Sequence, residues 1–527
     1  MEMKKSSDFE FDDLQGLLRF GYGKLTDTCF MLLNIANVDL AKQWLNTVPI
    51  NSAITKDPPP ATAVQIAFSV EGLRALGLKE SVVDGFSDEF IVGMAGDESR
   101  SRRLGDVGRN APQRWKWGGN AAQVPHVLLL LYARKGNIEA WRKTVEGEHF
   151  SGAFLLLEEL PTLYIGDIES FGFHDGISQP TIDWTQRQST DIHERDSFSN
   201  LLAVGEMVLG YPNEYGQYTA RPLIDPRKDK LATLLPNANN DPAWKDFGRN
   251  GTYLVLRHLG QDVAGFWQFL DKVSDHVPQK REQLAAAMLG RERNGTPLIA
   301  ERIPGIPRED HWNDFTFDQD PNGNHCPLGA HIRRSNPRTG DLPPGVNGFI
   351  SRLIKILGFG QRPDEDLVAS SRFHRLLRRG RSYGPALAPE DAIKPDAPAS
   401  ERGLQFICLV ANISRQFEFV QNAWTMNSKF NGVQEERDPL LGNREPLMSG
   451  EGTDHFNCPG QSGPMQKTSH LPQFVTTHGG GYFFMPGLRA LKYISALPAN
   501  GSDSHHDEDQ EPDTKSYSQF SDSAATH

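Results

Sequence analysis

Cysteine is scarce in this chain of 527 residues: it occurs four times, and no two cysteines form a CxxC pair. Neither a disulfide framework nor a cysteine-based zinc site is predicted from this pattern. Reduced thiols in a cytoplasm fit it best. The four residues are Cys29, Cys326, Cys408 and Cys458.

Long apolar runs are lacking too. The longest, residues 127–131, is far shorter than the about 20 residues that a helix needs to cross a bilayer. The first residues carry lysines and then acids, where a signal peptide would carry an apolar stretch. We therefore expect a cytoplasmic protein with no membrane partner, and export by another protein stays open.

An excess of basic charge is also missing, since 55 Lys and Arg face 67 Asp and Glu, a net charge of -12. A nucleic-acid partner is not expected, because binding to phosphates needs a basic face. The signatures of common hydrolases, zinc proteases and nucleotide-binding loops are absent. Residues 500–527 are rich in Ser, Asp, Glu and His and are predicted to be disordered.

Strand-like and helix-like patterns alternate along the rest of the chain. In the first part, strands are predicted at residues 64–68, 124–133 and 152–158, with helices after Asp39 and at 137–145. The second part repeats this order, with strands predicted at residues 251–256, 404–413 and 482–485 and helices at 263–270 and 416–424. The sequence thus predicts an α+β fold of two split βαβ domains with antiparallel sheets and long inserted loops. The predicted boundaries are 1–200 and 201–499.

Two short segments contain residue types that are suited to chemistry. Glycines flank Asp175 just after a predicted strand, so its carboxylate is either catalytic or part of an Asx turn before Gly176. His331 follows small residues that leave room for a flat ligand, and arginines that suit carboxylates follow it. Taken alone, His331 is either a metal ligand or a structural histidine.

A third segment, residues 372–385, is rich in arginine and ends in Tyr-Gly-Pro. Its arginines alone are typical of a solvated face. Together, however, the motifs GxxDG, CPxxAHIRRxNPR and LxRxGxxYGP occur in an order that resembles the dye-decolorizing peroxidase family. The resemblance spans nearly the whole chain and is to the larger, advanced members. It implies two ferredoxin-like domains and one haem b per chain, bound in the C-terminal half.

The same resemblance implies a role for individual residues. His331 would be the proximal ligand of the haem iron, Asp175 the distal acid–base and Arg378 the distal charge stabiliser. Glu418 would be the carboxylate that holds the second nitrogen of the histidine. The implied activity is oxidation of dyes and bulky phenolic or aromatic donors by hydrogen peroxide, through a ferryl intermediate.

Further residues are expected around the haem. Ile177 and Gln179 would touch the edge of the macrocycle, and Leu404 and Phe406 would form an apolar lid. The alternative for Leu404 and Phe406 is ordinary core packing, and for Ile177, Gln179 and the two arginines named below it is local packing or exposure to solvent. Tyr383 is the first candidate for an electron relay to the surface, and Trp424 the second. The arginines expected to pair with the haem propionates are Arg333 and Arg334.

Two Cys-Pro dipeptides provide a rival interpretation. A thiolate from Cys326 or Cys458 is an alternative axial ligand, in which case the protein would be a non-catalytic haem carrier or haem sensor. A third alternative is an enzyme of the same fold that acts on chlorite or on haem itself, against which the intact GxxDG motif argues. His174 stands where many relatives have arginine, which alters the proton balance around Asp175.

Overall fold

The computed structural model describes residues 9–186, 200–300, 312–339, 370–459 and 466–498. The tail at 500–527, predicted to be disordered, lies outside them. Within the described ranges, no helix is long and apolar enough to cross a membrane.

The first part of the chain forms a four-stranded antiparallel half-sheet in the order β4-β1-β3-β2. All residues of its third strand are buried, which explains the apolar run seen in the sequence. This first half-sheet and its helices comprise β1 (Asp27–Ile35), α1 (Val38–Thr47), β2 (Thr62–Phe68), α2 (Val70–Ala75), α3 (Glu80–Val83), α4 (Asp88–Val92), α5 (Glu98–Leu104), β3 (Val127–Ala133), α6 (Ile138–Glu146), α7 (Phe150–Ala153) and β4 (Phe154–Leu160).

Short two-stranded pairs connect this part to the second half-sheet. The connecting strands are β5 (Thr181–Ile182), β6 (Leu201–Leu202), β7 (Leu223–Ile224) and β8 (Lys245–Asp246). The remaining elements are β9 (Thr252–Gln261), α8 (Val263–Val273), α9 (Pro278–Leu289), α10 (His331–Ser335), β10 (Leu377–Arg378), β11 (Arg381–Tyr383), α11 (Pro389–Ala392), β12 (Gly403–Val410), β13 (His455–Cys458), β14 (Gln466–Ser469), β15 (Val475–Met485) and α12 (Leu488–Ala496).

The second half-sheet has the order β15-β9-β12-β10, with β11 also paired to β12. Taking β10 and β11 as its second strand, each half-sheet places its four strands in the spatial order 4-1-3-2 of a ferredoxin-like fold. The predicted α+β, doubly ferredoxin-like fold is therefore confirmed. The two half-sheets are not separate, however, because Phe484 of β15 pairs with Phe68 of β2 and makes one nine-stranded sheet. The domain boundaries at 200 and 499 stay predictions.

An N-terminal segment fastens the two half-sheets together. The fully buried amide of Gln15 donates to the carbonyls of Ile66 in β2 and of Pro486 after β15, each at 2.9 Å. Its carbonyl oxygen accepts from the Ile66 N–H at 3.0 Å. One side chain thus satisfies backbone groups at the edge where the half-sheets meet.

The helix predicted at 416–424 is present but is π-helical, in the segments Ser414–Glu418 and Val420–Thr425. Its wider turns are seen in the bonds from the Glu418 N–H to the Ile413 carbonyl and from Met426 to Gln421. A π-helix turns less per residue than an α-helix, so a face assigned at 3.6 residues per turn shifts along it. The predicted stripe of Phe417, Val420 and Trp424 is buried nonetheless.

Candidate active site

A large cavity lies against one face of the second half-sheet. Its walls include Leu259 of β9 and Leu404 and Phe406 of β12, and the π-helical segment and α10 close the other side. The three residues predicted to act in catalysis or to bind the iron open into it together. These are His331, Asp175 and Arg378.

His331 begins α10, and its Nδ1 lies 2.9 Å from Oδ2 of Asp438. The other oxygen of that carboxylate accepts the backbone N–H groups of Leu440 at 2.9 Å and Leu441 at 2.8 Å. Burial raises the pKa of Asp438, but His331 and these N–H groups outweigh it, so the pKa lies below its ordinary value. An ionised Asp438 keeps the proton on Nδ1 of His331.

In the neutral ring this places the proton on Nδ1 and leaves the lone pair on Nε2, while the same carboxylate raises the pKa of His331 above its ordinary value. Among the described residues this atom has no hydrogen-bond partner, while 24% of the side chain is accessible from the cavity. A neutral imidazole oriented by a carboxylate on its other nitrogen is the usual arrangement of a histidine that binds a metal.

Asp175 and Arg378 form an ion pair on another wall of the cavity. Nη1 of Arg378 lies 2.8 Å from Oδ1 of Asp175, and the Gly176 N–H donates to the same oxygen at 2.7 Å. Burial raises the pKa of Asp175, but the Arg378 charge and these hydrogen bonds outweigh it and leave the pKa below its ordinary value. Oδ2 has no hydrogen-bond partner within the described part of the chain and is free to take a proton.

The loop that carries Asp175 is held by a second acid, Glu169, which the sequence analysis missed. The Glu169 carboxylate accepts the N–H groups of Phe171 at 2.9 Å and Phe173 at 3.1 Å, and the Gln261 amide of β9 at 2.8 Å. Burial raises its pKa to about 7. In the sequence, the only indication of this role is an acidic residue next to a turn that contains glycine.

The structure places the four residues expected around the haem in two groups. Ile177, Leu404 and Phe406 line the cavity, and their contact with haem stays a prediction. Gln179 does not line it; its amide donates to the Arg378 carbonyl at 3.1 Å and accepts the Arg378 N–H at 3.0 Å. Gln179 therefore fixes the strand that carries Arg378.

The prediction that Glu418 holds His331 is wrong. Glu418 pairs with Arg100 at 2.9 Å and accepts the Tyr482 hydroxyl at 2.8 Å, whereas the carboxylate on His331 belongs to Asp438. The spacing to His331 did not indicate Asp438, because 107 residues separate them and the contact exists only in the folded chain. The Asp-Pro-Leu-Leu sequence, in which an aspartate caps the N–H groups after it, was the available signal.

The prediction that Arg333 and Arg334 bind propionates is also wrong. Arg333 pairs with Asp320 at 3.1 Å, and Arg334 donates to backbone carbonyls that include those of Trp424 and Glu436. Both are buried and neither lines the cavity. The arginines that do line it, besides Arg378, are Arg257, Arg291, Arg338 and Arg375.

The rival thiolate ligands are poorly placed. Cys326 is packed in an apolar cluster with Trp312, Phe315 and Phe317, and burial raises the pKa of its thiol to about 12. The pKa of Cys458 is likewise raised by burial, to about 11. Neither sulfur lines the cavity, so a thiolate ligand is disfavoured.

Tyr383 does not line the cavity. It is 2% exposed, and its partner in the sheet is Gly403, whose neighbour Leu404 faces the cavity. Side chains alternate along a strand, so the Tyr383 position belongs to the opposite face of the sheet. Its role as a relay stays a prediction, as does that of the buried Trp424.

The residues around the cavity fit a haem. One neutral imidazole is offered as an axial ligand, the walls are largely apolar, and arginines suited to carboxylates line the same space. Asp175 and Arg378 offer a carboxylate and a positive charge to the same cavity.

Comparison of the whole chain with known proteins agrees with this geometry, although no protein-family model matches it. The multifunctional dye peroxidase DyP2 of Amycolatopsis sp. is 30% identical over 82% of this chain and 83% of its own. The dye-decolorizing peroxidase msp1 of Mycetinis scorodonius is 27% identical over 93% of this chain and 89% of its own.

A solved dye-decolorizing peroxidase in complex with 2,6-dimethoxyphenol shares the fold, with a TM-score of 0.68. Its sequence is 21% identical, and the match covers 92% of this chain and all of that one. The extent of the Amycolatopsis match decides the family. This chain belongs to the dye-decolorizing peroxidases, a family of hydrogen-peroxide-dependent haem oxidoreductases.

Proposed function

We propose that this protein binds one haem b through His331 and uses hydrogen peroxide to oxidise dyes and bulky phenolic or aromatic donors. The observation that carries the proposal is that two pairs of interacting side chains lie at one cavity. His331 is oriented by Asp438, and Asp175 is paired with Arg378. The names of the two relatives and of the phenol complex support the class of donor.

His331 would hold the iron through Nε2, with Leu404 and Phe406 as apolar walls. The lining arginines are suited to the carboxylates of the macrocycle. When bound, the haem supplies the metal that binds peroxide and accepts its two oxidising equivalents. Asp438 makes the imidazole a stronger donor, because it takes part of the charge on Nδ1.

Asp175 would move the proton of the bound peroxide. Its Oδ2 is available to take a proton from one peroxide oxygen and return it to the other, which then leaves as water. The guanidinium charge of Arg378 stabilises the negative charge that develops between these two events. The hydrogen bonds from Arg378 and Gly176 to Oδ1 keep Oδ2 directed away from them.

The test is peroxide-dependent oxidation of 2,6-dimethoxyphenol by the haem-loaded protein. We expect the wild type to turn over and Asp175→Asn to lose about 10²–10⁴-fold in rate, the usual contribution of a positioned base. Asp262→Asn is the matched control, because Asp262 caps α8 and asparagine caps equally well. A wild type that binds haem but oxidises no faster than free haem would instead support the haem carrier or sensor.

The cytoplasm is our proposed location, supported by the cysteines. All four are unpaired thiols, which is typical of a reducing compartment. Cell fractionation with an antibody to the chain tests this. Recovery of the chain outside the cytoplasm would contradict the proposal.

A further inference from the structure

A buried cluster of rings lies on the face of the second half-sheet that is opposite to the cavity. At its centre is His258 of β9, which is 1% exposed. The ring of Tyr383 lies edge-on to it with centroids 5.1 Å apart, and the ring of His478 lies tilted against it with centroids 5.4 Å apart. His478 itself is half-buried and gives the cluster a way to the surface.

The polar atoms of this cluster are unusual. Among the described residues, neither ring nitrogen of His258 nor the Tyr383 hydroxyl has a hydrogen-bond partner, although all three atoms are buried. Buried polar groups normally find partners, because leaving them unpaired costs free energy. Leucine and phenylalanine would fill the same space without that cost, so these polar groups point to a chemical use.

Glycines on adjacent strands make room for the rings. A Cβ on Gly260 would come within 2.6 Å of Nε2 of His478, and one on Gly403 within 2.8 Å of the Tyr383 ring. A Cβ on Gly479 would lie 2.5 Å from Nε1 of Trp117. The rings therefore lie directly against the backbone of the sheet.

The cluster is separated from the cavity by one layer of backbone. Arg257 and Leu259, the neighbours of His258 along β9, both line the cavity. Because successive side chains of a strand point to opposite faces, His258 faces away from the cavity at the same point of the sheet. An electron would cross only this layer between Tyr383 and a haem in the cavity.

We propose that His258 is the proton acceptor that makes Tyr383 oxidisable, with His478 passing the proton towards the surface. This rests on the proposed function, because the oxidant is the haem after peroxide has taken two electrons from it. Tyr383 gives one electron to the haem, its O–H bond breaks, and an N–H bond forms on His258. The product is a neutral tyrosyl radical, which returns to tyrosine when a phenolic donor supplies one electron and one proton.

The proton leaves with the electron, because a phenol that has lost an electron is a strong acid and His258 is the base beside it. The positive charge then leaves the low-dielectric interior when His478 passes a proton on. His258 is ready to accept the proton of Tyr383: burial and the neighbouring His478 and Lys116 lower its pKa to about 3, so the ring is neutral. One water between the Tyr383 hydroxyl and a His258 nitrogen would give both unpartnered groups a hydrogen bond and carry the proton between them. His478 faces Lys116 and Glu401, an exposed ion pair at 3.3 Å, where the proton meets solvent.

The experiment is freeze-quench EPR of the haem-loaded protein mixed with hydrogen peroxide and no donor. We expect a tyrosyl signal in the wild type that is lost in Tyr383→Phe. The control Tyr211→Phe should keep it, since Tyr211 is also buried but donates to Asn250 at 2.7 Å. In His258→Leu the signal should form more slowly, and the slowing of its formation in D2O should disappear.

His258→Gln provides a second variant if the leucine variant does not fold, because the amide is polar but is not a base. A signal that persists in Tyr383→Phe overturns the proposal. Unchanged rates and isotope effects in the His258 variants overturn it as well. In both cases the haem absorbance still changes with peroxide; if it does not change in the wild type, the proposed function itself has failed.

Discussion

Asp175 has a different hydrogen-bonding state on each carboxylate oxygen, and its chemistry depends on this. Oδ1 takes the Arg378 and Gly176 hydrogen bonds, and Oδ2 has none among the described residues. The Arg378 charge and these hydrogen bonds lower the pKa of Asp175 below its ordinary value. The ionised form of Asp175, which acts as the base, therefore exists above that lowered pKa and is lost as the pH falls through it. The acid limit of the peroxide reaction should therefore lie below the ordinary aspartate value of about 3.9.

Replacing the arginine tests this electrostatic link. In Arg378→Leu the burial of Asp175 is no longer offset, so its pKa rises and the acid limit of the peroxide reaction moves to higher pH. The measurement is the second-order rate constant with peroxide as a function of pH. An acid limit that stays in place in this variant would show that Asp175 is not the titrating base.

The correction from Glu418 to Asp438 can be tested by a matched pair of variants. Asp438→Asn removes the charge that holds His331 and should weaken haem binding by about 10–100-fold, as is usual for partners of metal ligands. Glu418→Gln keeps a hydrogen-bond acceptor for Tyr482 and should leave haem affinity unchanged. Haem titration of the two apoproteins measures both affinities. Equal losses of haem affinity in the two variants would contradict the assignment of Asp438.

Local motifs predicted His331, Asp175 and Arg378, and the structure brings all three to one cavity. Each lies in a short segment that contains glycine or arginine and is recognisable without the fold. Asp438 and Glu169 act through contacts that depend on tertiary structure or on a tight turn, and the sequence did not reveal them. The charge of Arg333 and Arg334 suggested that they bind a ligand, whereas both side chains donate to backbone carbonyls of the loop before α10.

At the level of elements, apolar periodicity predicted some of the strands and helices, but it missed β1 of the first half-sheet. The uninterrupted apolar run gave β3, and alternation gave β2, because burial on one or two faces dictates these patterns. No comparable sequence pattern marks the π-helix after β12, because about one extra residue per turn does not change which residue types the helix contains. The union of the half-sheets at Phe68 and Phe484 was equally hidden, because a single pair of residues carries it.

The packing of α9 against α10 gives a prediction about an element. α9 ends at Gly290, which has a φ of 100°, and a Cβ there would lie 2.4 Å from Cγ1 of Ile332 in α10. Gly290→Ala should lower the free energy of unfolding by about 1–3 kcal/mol and weaken haem binding, because α10 carries His331.

Gly93→Ala is the control for this variant. Gly93 ends α4 with a φ of 81°, but nothing lies within 4 Å of its Cβ position, so it carries the strain without the clash. Denaturant unfolding and haem titration are measured on both. Equal effects on haem affinity would show that the position of α10 does not depend on this contact.

On the scale of the whole molecule, the N-terminal segment joins the two half-sheets. Gln15 satisfies backbone groups on both sides of their junction, and nearby Asp13 accepts the N–H of Arg489 at the start of α12. The half-sheets should therefore unfold together, in one transition, although each has the topology of a complete ferredoxin-like unit.

Gln15→Ala tests this joint. The substitution removes the hydrogen bonds of two backbone carbonyls and one backbone N–H, all buried. It should lower the free energy of unfolding by about 2–4 kcal/mol. Gln43→Ala, at an exposed position of α1, should change stability by less than about 0.5 kcal/mol. Calorimetry of the apoproteins gives both values; a Gln15 variant as stable as the control would show that the junction does not need this side chain.

The central claim is that one cavity holds a haem through His331 opposite a working Asp175–Arg378 pair. Rapid mixing of the haem-loaded protein with hydrogen peroxide, followed by haem absorbance, tests it most directly. We predict that the wild type reacts far faster than free haem, that Asp175→Asn slows the reaction by about 10²–10⁴-fold, and that His331→Ala fails to retain haem. A wild type that reacts no faster than free haem, or an Asp175→Asn variant as fast as the wild type, would contradict the account.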